Sequence, residues 1–291
     1  MADTEILWRG LTIGGDTDID VHEISGWDDL DDLDTSLDQP RVRAHGDHPG
    51  PIYSRARTVT VRGAIANRQA RDQLVQAVLG ATPVSSEEEP LTIETFGRRL
   101  TAGARLVRRS LPVGEDYASG HVPFALAWRC TDPLRYGPEK SLSTALPASG
   151  GGLAWPLFAN GVLDWGTAGT SGQLVLVNEG TADAGIVLEV AAGTTHGLPS
   201  GFEISAAGRR ITYGTAVPPG QHIEIDTETG AVLAEGTADR RLELLNSDWL
   251  LVPGRDQQTG APGSLTVQFT SLGGTRDPAA LLTARWEDTY W

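Results

Sequence analysis

Apolar and polar residues alternate along Arg57–Ile65, with Thr58, Thr60 and Arg62 on one side and Val59, Val61 and Gly63 on the other. A period of two marks a half-buried strand. The period then changes. Leu74, Val75, Val78 and Leu79 form one stripe between Asn67, an N-cap, and Gly80, a C′ residue, and predict the one long helix of the chain. Strand patterns return at Leu91–Phe96, Leu100–Leu111 and Val122–Cys130, with loops at Val84–Pro90 and Ser110–His121. Upstream, Glu5–Ile13 reads as one short strand punctuated by Gly10. Residues 16–54 read as irregular. Trp27, Leu30 and Leu33 recur every third position inside an acidic run, which fits a single helical turn or a pinned loop. Pro40, Pro49 and Pro51 break any longer element there.

Thr131–Pro138 carries two prolines and a glycine directly after a strand and marks a domain boundary. Two domains follow, residues 1–138 and residues 139–291. The second opens on a lead-in at 147–172 that is rich in Gly, Ala and Ser but holds Trp155, Phe158 and Trp165, so it packs against something rather than serving as a bare linker. From there the pattern is all-β: Gln173–Asn178, Ile186–Ala191, Phe202–Ser205, Arg210–Tyr213, His222–Asp226, Val232–Ala234, Arg241–Leu245, Ser264–Thr270 and Leu281–Trp291. Short strands at regular spacing predict a β-sandwich or jelly roll.

Charge narrows the function. The 291 residues carry a formal net charge of −15. A protein that grips nucleic acid needs a basic face to displace counterions, so that class is excluded. The acid excess is uneven: residues 1–50 hold 13 acids and 3 bases, residues 51–150 hold 9 and 13, and residues 151–291 hold 16 and 7. Cys130 is the one cysteine, which rules out an internal disulfide and any multi-cysteine metal site. Lys140 is the one lysine among 23 bases. The start of the chain lacks the apolar run of a signal peptide, and the longest nearly apolar run, Val122–Trp128, is too short to span a bilayer. The expectation is a soluble protein made in a cytoplasm, with no membrane insertion.

No constellation builds an active site. Asp16, Asp18 and Asp20 mimic the start of a calcium loop, but Val21 and Trp27 stand where that loop needs Gly and Glu. His45, Asp47 and His48 sit in a Pro/Gly-rich loop with no rigid platform. Glu224, Asp226 and Glu228 alternate along a strand, as a solvated sheet face does. No nucleophile elbow, P-loop, dinucleotide fingerprint or zinc-protease motif is present. We therefore expect no enzyme, no metal and no cofactor. Trp249, Trp286 and Trp291 in the β-rich half either fill the space between sheets or stack on sugar rings.

The order of short motifs adds a resemblance. Val217-Pro218-Pro219-Gly220-Gln221 leads into His222-Ile223-Glu224-Ile225-Asp226-Thr227, followed by Ser247-Asp248-Trp249-Leu250-Leu251-Val252-Pro253-Gly254 and the strand Leu265–Phe269. Further upstream stand Arg57–Gly63, Phe124–Tyr136 with Trp128, Asp132, Pro133 and Tyr136, Asp164-Trp165-Gly166 and Val177-Asn178-Glu179-Gly180. Together these resemble the distal-tail (Dit) proteins of phages with long non-contractile tails, over nearly the whole chain. Arg255–Gln258 departs from the family, which shows Asn shortly after the Pro-Gly turn.

The resemblance implies an all-β chain: a tail-tube-like barrel or sandwich with one flanking helix at residues 1–138, and a galectin-like or carbohydrate-module-like sandwich at 139–291. It implies a homo-hexameric ring at the distal end of the tail, in the virion. One side of the ring meets the tail tube protein, the other the baseplate hub and the fibres or receptor-binding proteins. DNA passes through the channel without being bound. Two expectations attach to residues. An acidic loop at Asp28, Asp29, Asp31 and Asp32 meets the basic 51–150 block of a neighbouring subunit and sets ring register. In the alternative reading, the chain is a carbohydrate-binding module or a minor tail protein that recognises host cell-wall glycan through Trp249, Trp286 or Trp291.

Overall fold

Val59, Val61, Gly63 and Ile65 all point inward from a strand that runs Arg57–Ala66, as their alternation predicts. In the computed structural model, which describes residues 4–30, 33–148, 169–273 and 277–291, this strand lies in the first of two compact units. The first unit comprises Met1–Gly137 with Trp291, and the second Pro138–Tyr290. Among the described residues the chain is all-β apart from one α-helix and two short 3-10 turns.

In the first unit the strands are β1 (Glu5–Trp8), β2 (Leu11–Gly14), β3 (Ile19–Ser25), β4 (Arg57–Ala66), β5 (Glu89–Thr95), β6 (Arg98–Ser110), β7 (His121–Cys130) and the start of β8 (Arg135–Ala145). All pairings are antiparallel. One run is β3-β4-β7-β6 and the other β6-β5-β1-β2, so the 13-residue β6 belongs to both. No ladder among the described residues joins β2 to β3. Ile6, Ile13, Val61, Ile65, Leu91, Ile93 and Leu126 fill its interior, and Trp8 meets Trp128 edge to face at 5.8 Å. Cys130 is buried there, which pushes its thiol up to about 11.

The helix α1 spans Arg71–Ala81, and its stripe is the one read from the sequence. Asn67 caps the turn before it, accepting from the backbone N–H of Gln69 and Ala70. Gly80 is not the C′ residue: it is helical, and Thr82 terminates the helix. No basic residue of α1 itself offsets its C-terminal dipole. Arg109 from β6 does so, with Nη1 donating to the carbonyls of Leu79 and Thr82, while Trp8 Nε1 donates to the Ala81 carbonyl at 2.9 Å.

In the second unit the strands are β9 (Gln173–Asn178), β10 (Ile186–Ala191), β11 (Phe202–Ala206), β12 (Arg209–Tyr213), β13 (His222–Asp226), β14 (Val232–Ala234), β15 (Leu244–Ser247), β16 (Gly263–Ser271) and β17 (Leu281–Tyr290). One sheet runs β9-β16-β11-β12-β15, and β14-β13-β10-β17 forms the other. Phe202, Ile204, Val267 and Phe269 from the first meet Leu188, Val190, Ile225 and Leu282 from the second in one buried cluster, the core of a sandwich. Lys140 Nζ donates to both carboxylate oxygens of the nearly buried Asp288, at 2.7 and 2.8 Å.

The structure corrects several sequence readings. Glu5–Ile13 is a hairpin, not one strand, because Arg9 and Gly10 both take positive φ (49° and 77°) and reverse the chain. Phe96-Gly97 and Ala207-Gly208 do the same between their strands. Residues 16–54 are not wholly irregular: they contain β3 and two small pairs, Leu33–Asp34 with Tyr53–Ser54 and Gln39–Pro40 with Asp47–His48. The segment Thr131–Pro138 is not all turn: β8 begins at Arg135 and runs through Gly137 and Pro138. Arg241–Glu243 is a 3-10 turn, and the strand begins at Leu244. Trp155, Phe158 and Trp165 lie outside the described residues.

Candidate assembly surface

Two strand edges of the β3-β4-β7-β6 sheet are left without a ladder among the described residues. One is the outer edge of β3. The other is the distal half of β6, where Arg105–Ser110 pairs with β7 alone, the partnership with β5 having ended at Ala104. Unpaired edges offer free backbone donors and acceptors to another chain.

The two edges differ in charge. Asp16, Asp18 and Asp20 are exposed at the β3 side. Asp18 accepts from Asn67 Nδ2 at 2.7 Å, and Glu23 pairs with Arg62 at 3.2 Å. On the β6 side, Arg105 stands directly opposite Arg129 of β7, and Arg108 stands opposite Ala127, past a bulge. None of these three guanidinium groups has an ion-pair partner among the described residues. Like charges directly opposite one another destabilise a sheet by a few tenths of a kcal/mol or more, roughly 0.2–1. No ion pair among the described residues offsets that repulsion.

A third exposed feature is the arm between β3 and β4. It holds two small strand pairs and carries Leu33, Leu37, Val42, Ile52 and Tyr53 on its surface, with Val42 95% exposed. His45, Asp47 and His48 are exposed on the same arm.

The predicted acidic loop makes contacts within its own unit at Asp28 and Asp29. Trp27 is buried at its base. Asp28 accepts from Arg135 Nη1 at 2.5 Å and from Thr95 Oγ1 at 2.8 Å. Asp29 closes its own turn by accepting from the Gly26 N–H at 2.6 Å. Arg57 Nη1 donates to the carbonyls of Gly26, Trp27 and Asp29, and its Nε to Pro133. Arg135 also donates to the Trp291 carbonyl and lies over the Trp27 ring at 5.6 Å. Asp28 and Asp29 thus hold the loop to their own unit. Asp31 and Asp32 lie outside the described residues.

The three tryptophans have separate surroundings. Trp286 is buried in the sandwich core and donates Nε1–H to the Val177 carbonyl at 2.9 Å. Trp249 is half-buried against the same core, beside Gly230. Trp291 is about half exposed and belongs to the first unit. Glu224 is paired with Arg285 at 2.8 Å, and Asp226 caps the turn after β13. The arginine cluster on β6 and β7 went unread in the sequence, because its three members become neighbours only through the register of that pair.

No family model and no curated protein significantly matches the sequence. Solved structures do match. The chain is similar to the Dit (gp 19.1) protein of phage SPP1, a paradigm of the hub adsorption apparatus in phages infecting Gram-positive bacteria, with a TM-score of 0.66 at 12% identity over 99% of both chains. A chain of the phage P2 baseplate in its activated conformation with calcium matches over 97% of both chains, with a TM-score of 0.47 at 11% identity. At such identity the SPP1 likeness shows a shared fold across the whole chain.

Proposed function

We propose that this chain is a structural component of a phage tail, a distal-tail-type protein whose first unit assembles with five copies of itself into a ring. The observation that carries the reading is the pair of unladdered edges on one sheet, acidic at β3 and basic at distal β6, in a chain sharing the full-length fold of a hub protein. An edge that meets a different edge makes a heterologous contact, and heterologous contacts close into rings when the rotation allows. The acidic partner of Arg105, Arg108 and Arg129 is then the Asp16–Asp20 segment of a neighbour, since Asp28 and Asp29 are already engaged. The ring sits at the distal end of the tail, between the tail tube and a hub bearing receptor-binding parts, and leaves a channel for DNA. The chain's net charge of −15 disfavours retention of the passing phosphate backbone. No residue is assigned a catalytic role.

Negative-stain microscopy of the purified protein tests this. Six-fold rings that dissociate in molar salt, or on Arg105→Glu with Arg108→Glu, are the expected result. A monodisperse monomer across the accessible concentration range refutes ring formation. Rings indifferent to both salt and charge reversal refute the assigned edges.

A further inference from the structure

The five-stranded sheet of the second unit ends on two unlike edges. At β9 the Val177 carbonyl accepts from Lys140 Nζ at 3.4 Å and from Trp286 Nε1 at 2.9 Å, so side chains from β8 and β17 cover that end. At β15 no ladder among the described residues covers the outer edge. Leucines gather there. Tyr213 pairs with Leu244 and Thr212 with Asn246, so Leu245 bulges out of the ladder and is 75% exposed. Leu242, in the 3-10 turn just before β15, is fully exposed. An open edge that also displays leucine offers backbone hydrogen bonds and apolar contact to another strand.

Charge identifies the strand that fits. Residues 239 to 248 read Asp-Arg-Arg-Leu-Glu-Leu-Leu-Asn-Ser-Asp. Within the chain, Arg240 pairs with Glu243 at 3.0 Å, and the Asp239 carboxylate accepts from the Arg241 backbone N–H. The Arg241 guanidinium and the Asp248 carboxylate have no ion-pair partner among the described residues. They stand at opposite ends of the segment, with Leu242, Leu244 and Leu245 between them.

We propose that β15 pairs with β15 of a second copy of this chain, antiparallel about a two-fold axis. That arrangement sets Arg241 of each chain against Asp248 of the other, and Leu244 of each against Leu245 of the other. Each contact occurs twice by symmetry, as an isologous interface requires. A parallel pairing would instead set Arg241 beside Arg241. The segment is complementary to itself only when reversed, and that selects a second copy as the occupant. A four-residue ladder with flanking leucines buries less than a standard interface of about 1,600 Å², so the association is weak, with a dissociation constant roughly micromolar to millimolar. The contact joins second units in pairs and is separate from the head-to-tail edges assigned to the ring.

The test is cross-linking between two full-length chains, one carrying Leu242→Cys and the other Ser247→Cys. They are mixed at up to millimolar concentration and bridged by a short bifunctional maleimide. A denaturing gel counts the covalent dimers, whatever larger assembly the chains belong to. In this register Leu242 of one chain lies opposite Ser247 of the other, whereas Leu242 lies roughly 17 Å from its own copy, five residues at about 3.4 Å each. The mixture should therefore cross-link several-fold more than either chain alone. Cys130 is buried and stays out of the reaction. Arg241→Asp in both chains, or Asp248→Arg in both, should cut the yield about tenfold. Arg241→Asp in one chain with Asp248→Arg in the other should restore it, all with unchanged melting temperature. Mixed chains that cross-link no better than single ones overturn the proposal and leave the edge to a strand of a different protein. Yields that both reversals leave unchanged, or that the crossed pair does not restore, overturn it as well.

Discussion

Gly63→Ala is a one-methyl change aimed at the acidic edge. Gly63 lies on the inward face of β4, opposite Val21 of β3 and Phe124 of β7. A Cβ there would stand 1.9 Å from the Asp20 carbonyl oxygen and 2.7 Å from the Phe124 ring. The ring can swing, but the carbonyl belongs to the β3 backbone. Relief to ordinary contact needs a shift of more than about 1 Å, enough to break ladder hydrogen bonds. Inserting a methyl into a packed interior costs about 1–3 kcal/mol, and losing glycine's unfolded-state freedom returns about 0.4–1. A net loss of about 1–2 kcal/mol follows. Urea denaturation should read it, and hydrogen exchange should localise it, with amides of Ile19–Ser25 losing protection while the β9–β16 pair keeps its own. Unchanged stability, or exchange that rises evenly across both units, would refute the assignment of β3 as the strand displaced.

Other substitutions probe separate parts of the account. Gly80→Ala has open space for its methyl and a helical backbone, and should stabilise the chain by about 0.5–1 kcal/mol in the same denaturation assay. Phe96 is exposed and held at φ 52°, so Phe96→Asn should raise stability by about 0.5–1 kcal/mol, with a higher melting temperature as the readout. Trp286→Phe loses the bond to Val177, whereas Trp27 Nε1 has no acceptor among the described residues. Equilibrium unfolding should therefore place Trp286→Phe below Trp27→Phe by about 1 kcal/mol. Backbone N–H groups of His196, Ala279 and Thr195 hold the Asp277 carboxyl below its ordinary value of 3.8. Its stabilising contribution is complete above that value and fades as pH falls through the folded one, so Asp277→Asn should flatten the stability curve below about pH 4. Burial, with Glu139 and Glu228 nearby, raises Glu287 instead, and this group weakens the fold as pH rises past 4.5.

Periodicity revealed the elements that a single hydrophobic face defines. β4, the stripe of α1 and most strands of the second unit are all half-buried, and each advertises one apolar side. The hairpin at Arg9 escaped because a reversal there usually announces itself with Asn-Gly or Asp-Gly. Here Arg, Phe and Ala occupy the left-handed position ahead of glycine. β8 escaped because Gly137-Pro138 is a breaker pair that this chain tolerates inside a strand. The acidic loop was legible as charge but not as architecture: Asp28 finds its partner in Arg135, 107 residues away, and no local pattern encodes that.

The solitary lysine turns the molecule into its own clock. Lys140 lies three residues past the boundary between the two units, inside β8 and clamped to Asp288. A lysine-specific endoprotease has one place to cut, and an extended strand held by its neighbours does not fit a protease cleft. Each cleavage therefore records one opening of that strand, and it yields two fragments that nearly coincide with the units themselves.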